Sequence, residues 1–349
     1  MVCCLVSQKG VARQSRERKS PGSAFQWKIG SADHPAIAGM QVIITIIPIF
    51  LIILLGWVAR KRGFITPDFL EPANRLVYYL SIPALIFSSI AKASFHEQFD
   101  GTVLGLTLLA AILVYSGADI LSRLLKMAPA RAGVFVQSAG HGNLGYIGLP
   151  IALYYLGEAG LVKAGILCGF LMILQNLLSV VALQLHDGSG NKLPGFRSLG
   201  RKLLGNPVIM GALAGMAVSI LEIPIPQVIQ RSLNILGGLA PPMALLLIGA
   251  SLSITLMRQH LRLTFGAVLL KLVVLPAVGV LLFVAFHVQV ADYLPALILL
   301  CAPTATVTYV MAREMHGDGD FAVATISAGT LLSSISFMLW LTFASYFAG

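Results

Sequence analysis

Gly140-His141-Gly142-Asn143-Leu144-Gly145-Tyr146-Ile147-Gly148-Leu149-Pro150 is the stretch on which the reading of this chain turns. Four glycines and a proline interrupt a hydrophobic segment otherwise long enough to cross a bilayer. Lipid offers no hydrogen bonds, so a helix break at membrane depth survives only inside protein or beside a polar cavity. A second interrupted segment, Ala302-Pro303-Thr304-Ala305-Thr306, occupies the corresponding place further along the chain. Paired breaks of this kind mark the binding site of a carrier.

The composition around the breaks fits that reading. The chain is 57% hydrophobic and 11% charged, with a mean hydropathy of +0.86. Soluble domains carry roughly a quarter charged residues, so the expected class is all-α integral membrane protein. At about 20 residues per span, ten transmembrane helices are expected near 41–59, 72–91, 102–125, 131–156, 163–185, 206–222, 231–255, 262–286, 292–312 and 320–347. The fourth and ninth are the broken ones, and they are expected to cross.

A net charge of +10 could signal nucleic acid, but its distribution speaks of topology. Arg60, Lys61 and Arg62, then Arg123, Lys126 and Arg131, then Lys192, Arg197, Arg201 and Lys202, then Arg258, Arg262 and Arg313 fall in alternate connections. The opposite connections carry Lys92, Lys163 and Arg231. The positive-inside rule makes the first set cytoplasmic, the stretch 186–205 included, in a multi-pass protein of the cell (inner) membrane. Residues 1–39 sit poorly with this, since a basic tail resists translocation. They read as a mis-assigned start, with Met40 the true one, or as a disordered basic extension.

The polar stretch 186–205 divides the body into residues 40–185 and 206–349, five helices each. Leu80-Ser81-Ile82-Pro83 echoes Leu239-Ala240-Pro241-Pro242, Asp119 stands where Lys271 stands, and the breaks correspond, all at nearly constant spacing. An odd number of spans inverts the second copy, so a 5+5 inverted repeat is expected.

Candidate site residues follow from the breaks. Gly142, Asn143 and Gly145 would offer backbone and amide donors, and Thr304 and Thr306 hydroxyls, to a small organic anion. Half-helix N-termini add partial positive charge. Asn143 could equally cap its own half-helix, and the threonines could bond back to theirs. His141 reads as structural. Pro150 and Pro303 are expected to break the helices. Asp119 and Lys271 lie about 10 and 14 Å deep from the same face, at 1.5 Å per residue. As a pair they could couple or gate transport or act as a fixed strut, and Asp119 could instead pair with Arg123. Gln175 and Asn176 could line the cavity or bond helix to helix. Asn206-Pro207 is an ordinary helix start.

Cys3, Cys4, Cys168 and Cys301 form no disulfide framework, and no metal spacing, nucleotide loop or nucleophile elbow occurs. The chain is therefore read as no enzyme, without cofactor or metal. A different class is a retinal-type photoreceptor or pump, with Lys271 as Schiff base and Asp119 as counter-ion. An intramembrane hydrolase lacks a recognisable nucleophile and base.

Together these segments resemble the auxin efflux carrier family, meaning its bacterial permeases and, more distantly, the plant PIN carriers. Asn143 to Pro150 is similar to the family's Asn…Gly-x-Pro break, Asn206-Pro207 to the Asn-Pro opening its second half, and Ala302-Pro303…Val310-Met311-Ala312-Arg313-Glu314 to its ninth-span break. The resemblance covers residues 40–349. It implies a homodimer formed through a scaffold of spans one, two, six and seven, elevator-like alternating access, and cargo such as malonate, malate or auxin-like carboxylates, with protons as a candidate coupling ion. It also implies that Asn143 contacts cargo. The plant carriers' long cytoplasmic loop is absent, and the threonine-rich ninth break departs from the plant pattern, which weighs against auxin itself.

Overall fold

The computed structural model describes residues 35–94, 98–186 and 205–347. Cys3, Cys4, His96, Glu97, nearly all of the basic tail and nearly all of the 186–205 linker lie outside the described residues. Every regular element among the described residues is helical.

In the first half α1 runs Pro35–Lys61, α2 Pro67–Leu76, α3 Ile82–Ile90, α4 Gly101–Leu124, α5 Pro129–Gly140 and α6 Leu149–Leu185. In the second, α7 runs Pro207–Ile220, α8 Gln227–Gly238, α9 Ala240–Ser251, α10 Ile254–Gln259, α11 Leu261–Leu269, α12 Leu275–Ala285, α13 Val290–Cys301, α14 Val307–Glu314 and α15 Gly319–Tyr346. The first helix thus begins inside the segment expected to be tail.

Six stretches are long and apolar enough to cross a membrane: 42–61, 101–124, 144–185, 227–251, 261–285 and 319–346. The chain is a multi-pass membrane protein. Its surface agrees, because α1 buries Val42, Ile46, Ile49 and Ile53 while Ile44, Leu51, Leu54 and Leu55 stay exposed. A helix apolar on all sides needs protein on one face and lipid or a second copy on the other.

Local chemistry explains where the helices start and bend. Asn206 caps α7, its side-chain oxygen accepting from the N–H groups of Val208 at 3.0 Å and Ile209 at 3.3 Å. Gly157 has φ of 72°, a left-handed value that L side chains adopt at a cost, and it divides α6 into two helices. Three π-helical turns, Val77–Ser81, Leu144–Gly148 and Leu270–Val274, each run directly into a helix with proline in its first turn. Those prolines are Pro83, Pro150 and Pro276. A proline lacks the N–H that an α-turn would use, and the wider turn accommodates its ring without ending the helix. This corrects the expectation for Pro150, which does not break its helix. Pro303 does lie in a break, between α13 and α14.

Asp318 fixes the start of α15. Its carboxylate accepts from the N–H of Phe321 at 3.0 Å and from Arg131 Nε at 2.9 Å. Burial pushes this carboxyl up, but the Phe321 N–H, Arg131 and the nearby His260 more than offset it and hold it below the usual value. A lowered value means that the contribution is complete at neutral pH and is lost as the pH falls through it. Asp318→Ala is expected to cost about 1 kcal/mol, mostly the cap, because ion pairs with exposed arginines add little. Melting curves of the two proteins should converge in acid; a gap that widens there would contradict this account.

The two ends of the bundle differ in charge. Arg131, Arg258, His260 and Arg262 surround one cavity of about 300 Å³. Asp100, Lys163 and Asp292 line another of about 290 Å³. Lys163 pairs with Asp292 at 3.2 Å.

Candidate functional site

The helix breaks meet. Helix α5 ends at Gly140, and His141, Gly142 and Asn143 are not helical before the π-turn resumes the path. Helix α13 ends at Cys301, and Ala302 to Ala305 are irregular before α14. The N–H of Asn143 donates to Pro303 O at 2.7 Å, and that of Ala305 to His141 O at 2.9 Å. Gly142 and Thr304 thereby form an isolated antiparallel bridge. Two unwound segments satisfy each other's backbone where neither lipid nor helix could.

Side chains complete the crossing. Gln175 of α6 donates through Nε2 to Gly140 O at 3.2 Å and accepts at Oε1 from the Gly142 N–H at 3.2 Å. One amide thus spans the first break. Thr304 donates to Ser138 O at 3.0 Å, and Ser138 exchanges a hydrogen bond with Thr325 at 3.0 Å. His141 Nδ1 bonds Ser179 Oγ at 2.9 Å, and Ser179 bonds the Tyr115 hydroxyl at 2.9 Å. All of these residues are buried.

Asn143 does two things. Its Oδ1 accepts weakly from the Tyr146 N–H at 3.4 Å, capping the helix that follows. Its Nδ2 is buried without a hydrogen-bond partner among the described residues. A bare buried amide donor costs about 1–3 kcal/mol and calls for an acceptor.

Lys271 lies in the π-turn between α11 and α12 and is fully buried. Its Nζ donates to Leu300 O at 3.0 Å, at the C-terminal end of α13. The same nitrogen is 3.1 Å from where a Cβ on Gly142 would stand. Lys271 is therefore a neighbour of the crossing.

Of the two partners considered for Asp119, the structure has Arg123 and not Lys271. Asp119 bonds Arg123 Nε and His186 Nε2, both at 2.8 Å. Arg123 is one turn along the same helix, and His186 ends α6 beside it, so the carboxylate is satisfied near the bundle's end. The retinal alternative loses its counter-ion by the same geometry.

The remaining candidates divide. Gly142 and Thr304 are at the bridge, whereas Gly145 packs against Ile82 and Met172. Thr306 precedes α14 without capping it through its side chain. Asn176 bonds back to Met172 O of its own helix, while Gln175 bonds across. Cys168 and Cys301 are buried free thiols. Ser138, Ser179, Tyr115 and Thr325 complete the network, and their only trace in the sequence is polarity within apolar helices.

Known proteins share this sequence pattern. The family model described as "Membrane transport protein" matches residues 41–194 and 195–341. A Rhizobium meliloti protein named "Putative malonate transporter" is 28% identical over 299 residues, covering 82% of this chain and 91% of its own length. An "Uncharacterized transporter" of Methanothermobacter thermautotrophicus is 22% identical over 304 residues, 85% of this chain and 96% of its own. "Uncharacterized transporter YfdV" of Escherichia coli is 22% identical over 306 residues, 85% and 95%. These relatives are transporters by name, in keeping with the auxin efflux carrier resemblance carried by the breaks.

Proposed function

We propose, since the chain belongs to the membrane transport protein family, that it is a secondary transporter moving small organic anions by alternating access. The observation that carries this reading is the crossing of two unwound segments with a bare amide donor, Asn143 Nδ2, buried beside it. Donors without acceptors favour an anion. The name of the Rhizobium relative adds malonate to the class, and malate and auxin-like carboxylates share its chemistry.

Cargo contacts come from Gly142, Asn143, Thr304 and Thr306, with Gly145 one turn away. Ten spans in a 5+5 inverted repeat, in the cell membrane with 186–205 cytoplasmic, describe the architecture. The short apolar helices Pro207–Ile220 and Val290–Cys301 support two of the four further spans. The grouping of Arg131, Arg258 and Arg262 at one end of the bundle, with Lys163 at a cavity of the other charge pattern, supports the topology. A homodimer would cover the exposed apolar face of α1. Protons or the membrane potential would drive uphill movement.

Counterflow in proteoliposomes loaded with malonate, malate, lactate or indole-acetate tests the reading. One labelled acid should accumulate transiently, and Asn143→Ala should slow it about tenfold or more, the value of one hydrogen bond to a charged group. Counterflow undiminished in Asn143→Ala would reduce this residue to a cap. Failure of all four acids would overturn the organic-anion reading.

A further inference from the structure

We infer that Lys271 is the fixed positive charge that receives a carboxylate of the cargo, so that the site takes up a single negative charge. The inference rests on the proposed carrier function and deepens it. It starts from an imbalance: an ammonium has three donors, and Lys271 uses one, on Leu300 O. Among the described residues no carboxylate pairs with it; the ion pairs there join Asp119, Asp318 and Asp292 to other cations. The titratable groups close to Lys271 are His141 and Cys301, both buried and neither a carboxylate.

An uncompensated buried ammonium is costly. The C-terminal end of α13 supplies about half an elementary negative charge at most. A surplus of positive charge therefore remains against the Gly142 backbone, the ammonium standing 3.1 Å from where a Cβ on that residue would be. The next residue along the chain, Asn143, holds a donor, Nδ2, without a partner among the described residues. An amide donor without a partner and an ammonium that uses one of its three donors thus flank the same break. The ligand that completes them is an acceptor with one negative charge.

The arithmetic of charge then sets specificity. Arg123, Arg131 and Lys163, which have carboxylate partners, pair with Asp119, Asp318 and Asp292 away from the crossing. A second ionised carboxylate on the cargo would enter without a cation, at the cost of any unpaired buried charge. Dicarboxylic acids accordingly bind in their half-protonated form.

A plainer role is possible for the same contact: Lys271 could hold the Leu300 carbonyl and nothing else. Thermal unfolding of the purified protein with and without malonate, malate, lactate or indole-acetate separates the two. The native chain should be stabilised by at least one acid. Lys271→Met should lose that ligand-induced shift while the empty protein melts no lower, because an apolar chain of similar volume removes an unpaired charge. Lys271→Arg should keep part of the shift. At mildly alkaline pH monomethyl malonate, which carries one charge, should protect better than malonate, and malonate should protect better in mild acid than in mild alkali. A ligand-induced shift that survives in Lys271→Met, or malonate protection that grows with pH, overturns the inference. Absence of any shift in the native chain would instead count against the organic-anion reading itself.

Discussion

Replacing Gly249 by valine is expected to remove the folded protein from detergent extracts. A Cβ at Gly249 would collide with the carbonyl oxygen of Ile53 and stand 3.0 Å from the backbone nitrogen of Trp57. Across the same seam, a Cβ at Gly56 would collide with the carbonyl oxygen of Leu246. Helices α1 and α9 therefore touch backbone to backbone, the close approach that small residues permit in membranes. Because the obstacles are main-chain atoms, no rotamer change relieves them. The two helices must separate along a seam that includes buried Ile49, Ile53 and Ala244. Overpacking that side chains can absorb costs about 1–3 kcal/mol, so about 3 kcal/mol or more is expected here. Total stabilities are only about 5–15 kcal/mol. Size-exclusion profiles and melting curves should show the loss, while Gly105→Val serves as control, since nothing lies within 4 Å of its Cβ. A Gly249→Val protein that melts with the native chain would refute the close seam.

Gln175→Leu should abolish counterflow and lower stability together. The native amide satisfies the Gly140 carbonyl and the Gly142 N–H at once, across the first break. Leucine has nearly the same volume and leaves both groups buried and bare. At about 1–3 kcal/mol each, the loss amounts to about 2–6 kcal/mol. Some of it would be recovered by bending the break, which displaces Asn143 and the bridge to Thr304. Transport is then lost even in molecules that fold. Gln175→Glu should fall between the two only where its carboxyl is protonated, as burial favours, since that form can accept from Gly142 and donate to Gly140. Asn176→Ala, next in sequence, should change little, since Asn176 bonds within its own helix. Unchanged melting and counterflow in Gln175→Leu would show that water or backbone movement takes over the bridge.

Such contrasts mark how far the residues speak for themselves. Adjacent residues Gln175 and Asn176 look alike in the sequence, and only their direction around α6 separates a bridge from a local bond. Pro150 looks like a breaker, yet the π-turn before it keeps the helix running. The pair Asp119 and Lys271 sits at matching depths, yet depth says nothing of lateral position, and Asp119 finds Arg123 and His186 first.

The all-helical membrane class, the start of α7 and the two interruptions near Asn143 and Pro303 were legible in the sequence because they depend on local quantities. Apolar length fixes which segments suit the bilayer, an Asn-Pro pair fixes where α7 begins, and the glycines from Gly140 to Gly148 lower the cost of unwinding where they stand. The tertiary structure alone decided which groups meet: the bridge of Gly142 to Thr304, the amide of Gln175 across the gap, and beside them Lys271, without a carboxylate partner among the described residues. Those contacts join residues far apart in the chain. They depend on the rotation and lateral placement of whole helices, which follow from the packing of the entire bundle and not from any one segment.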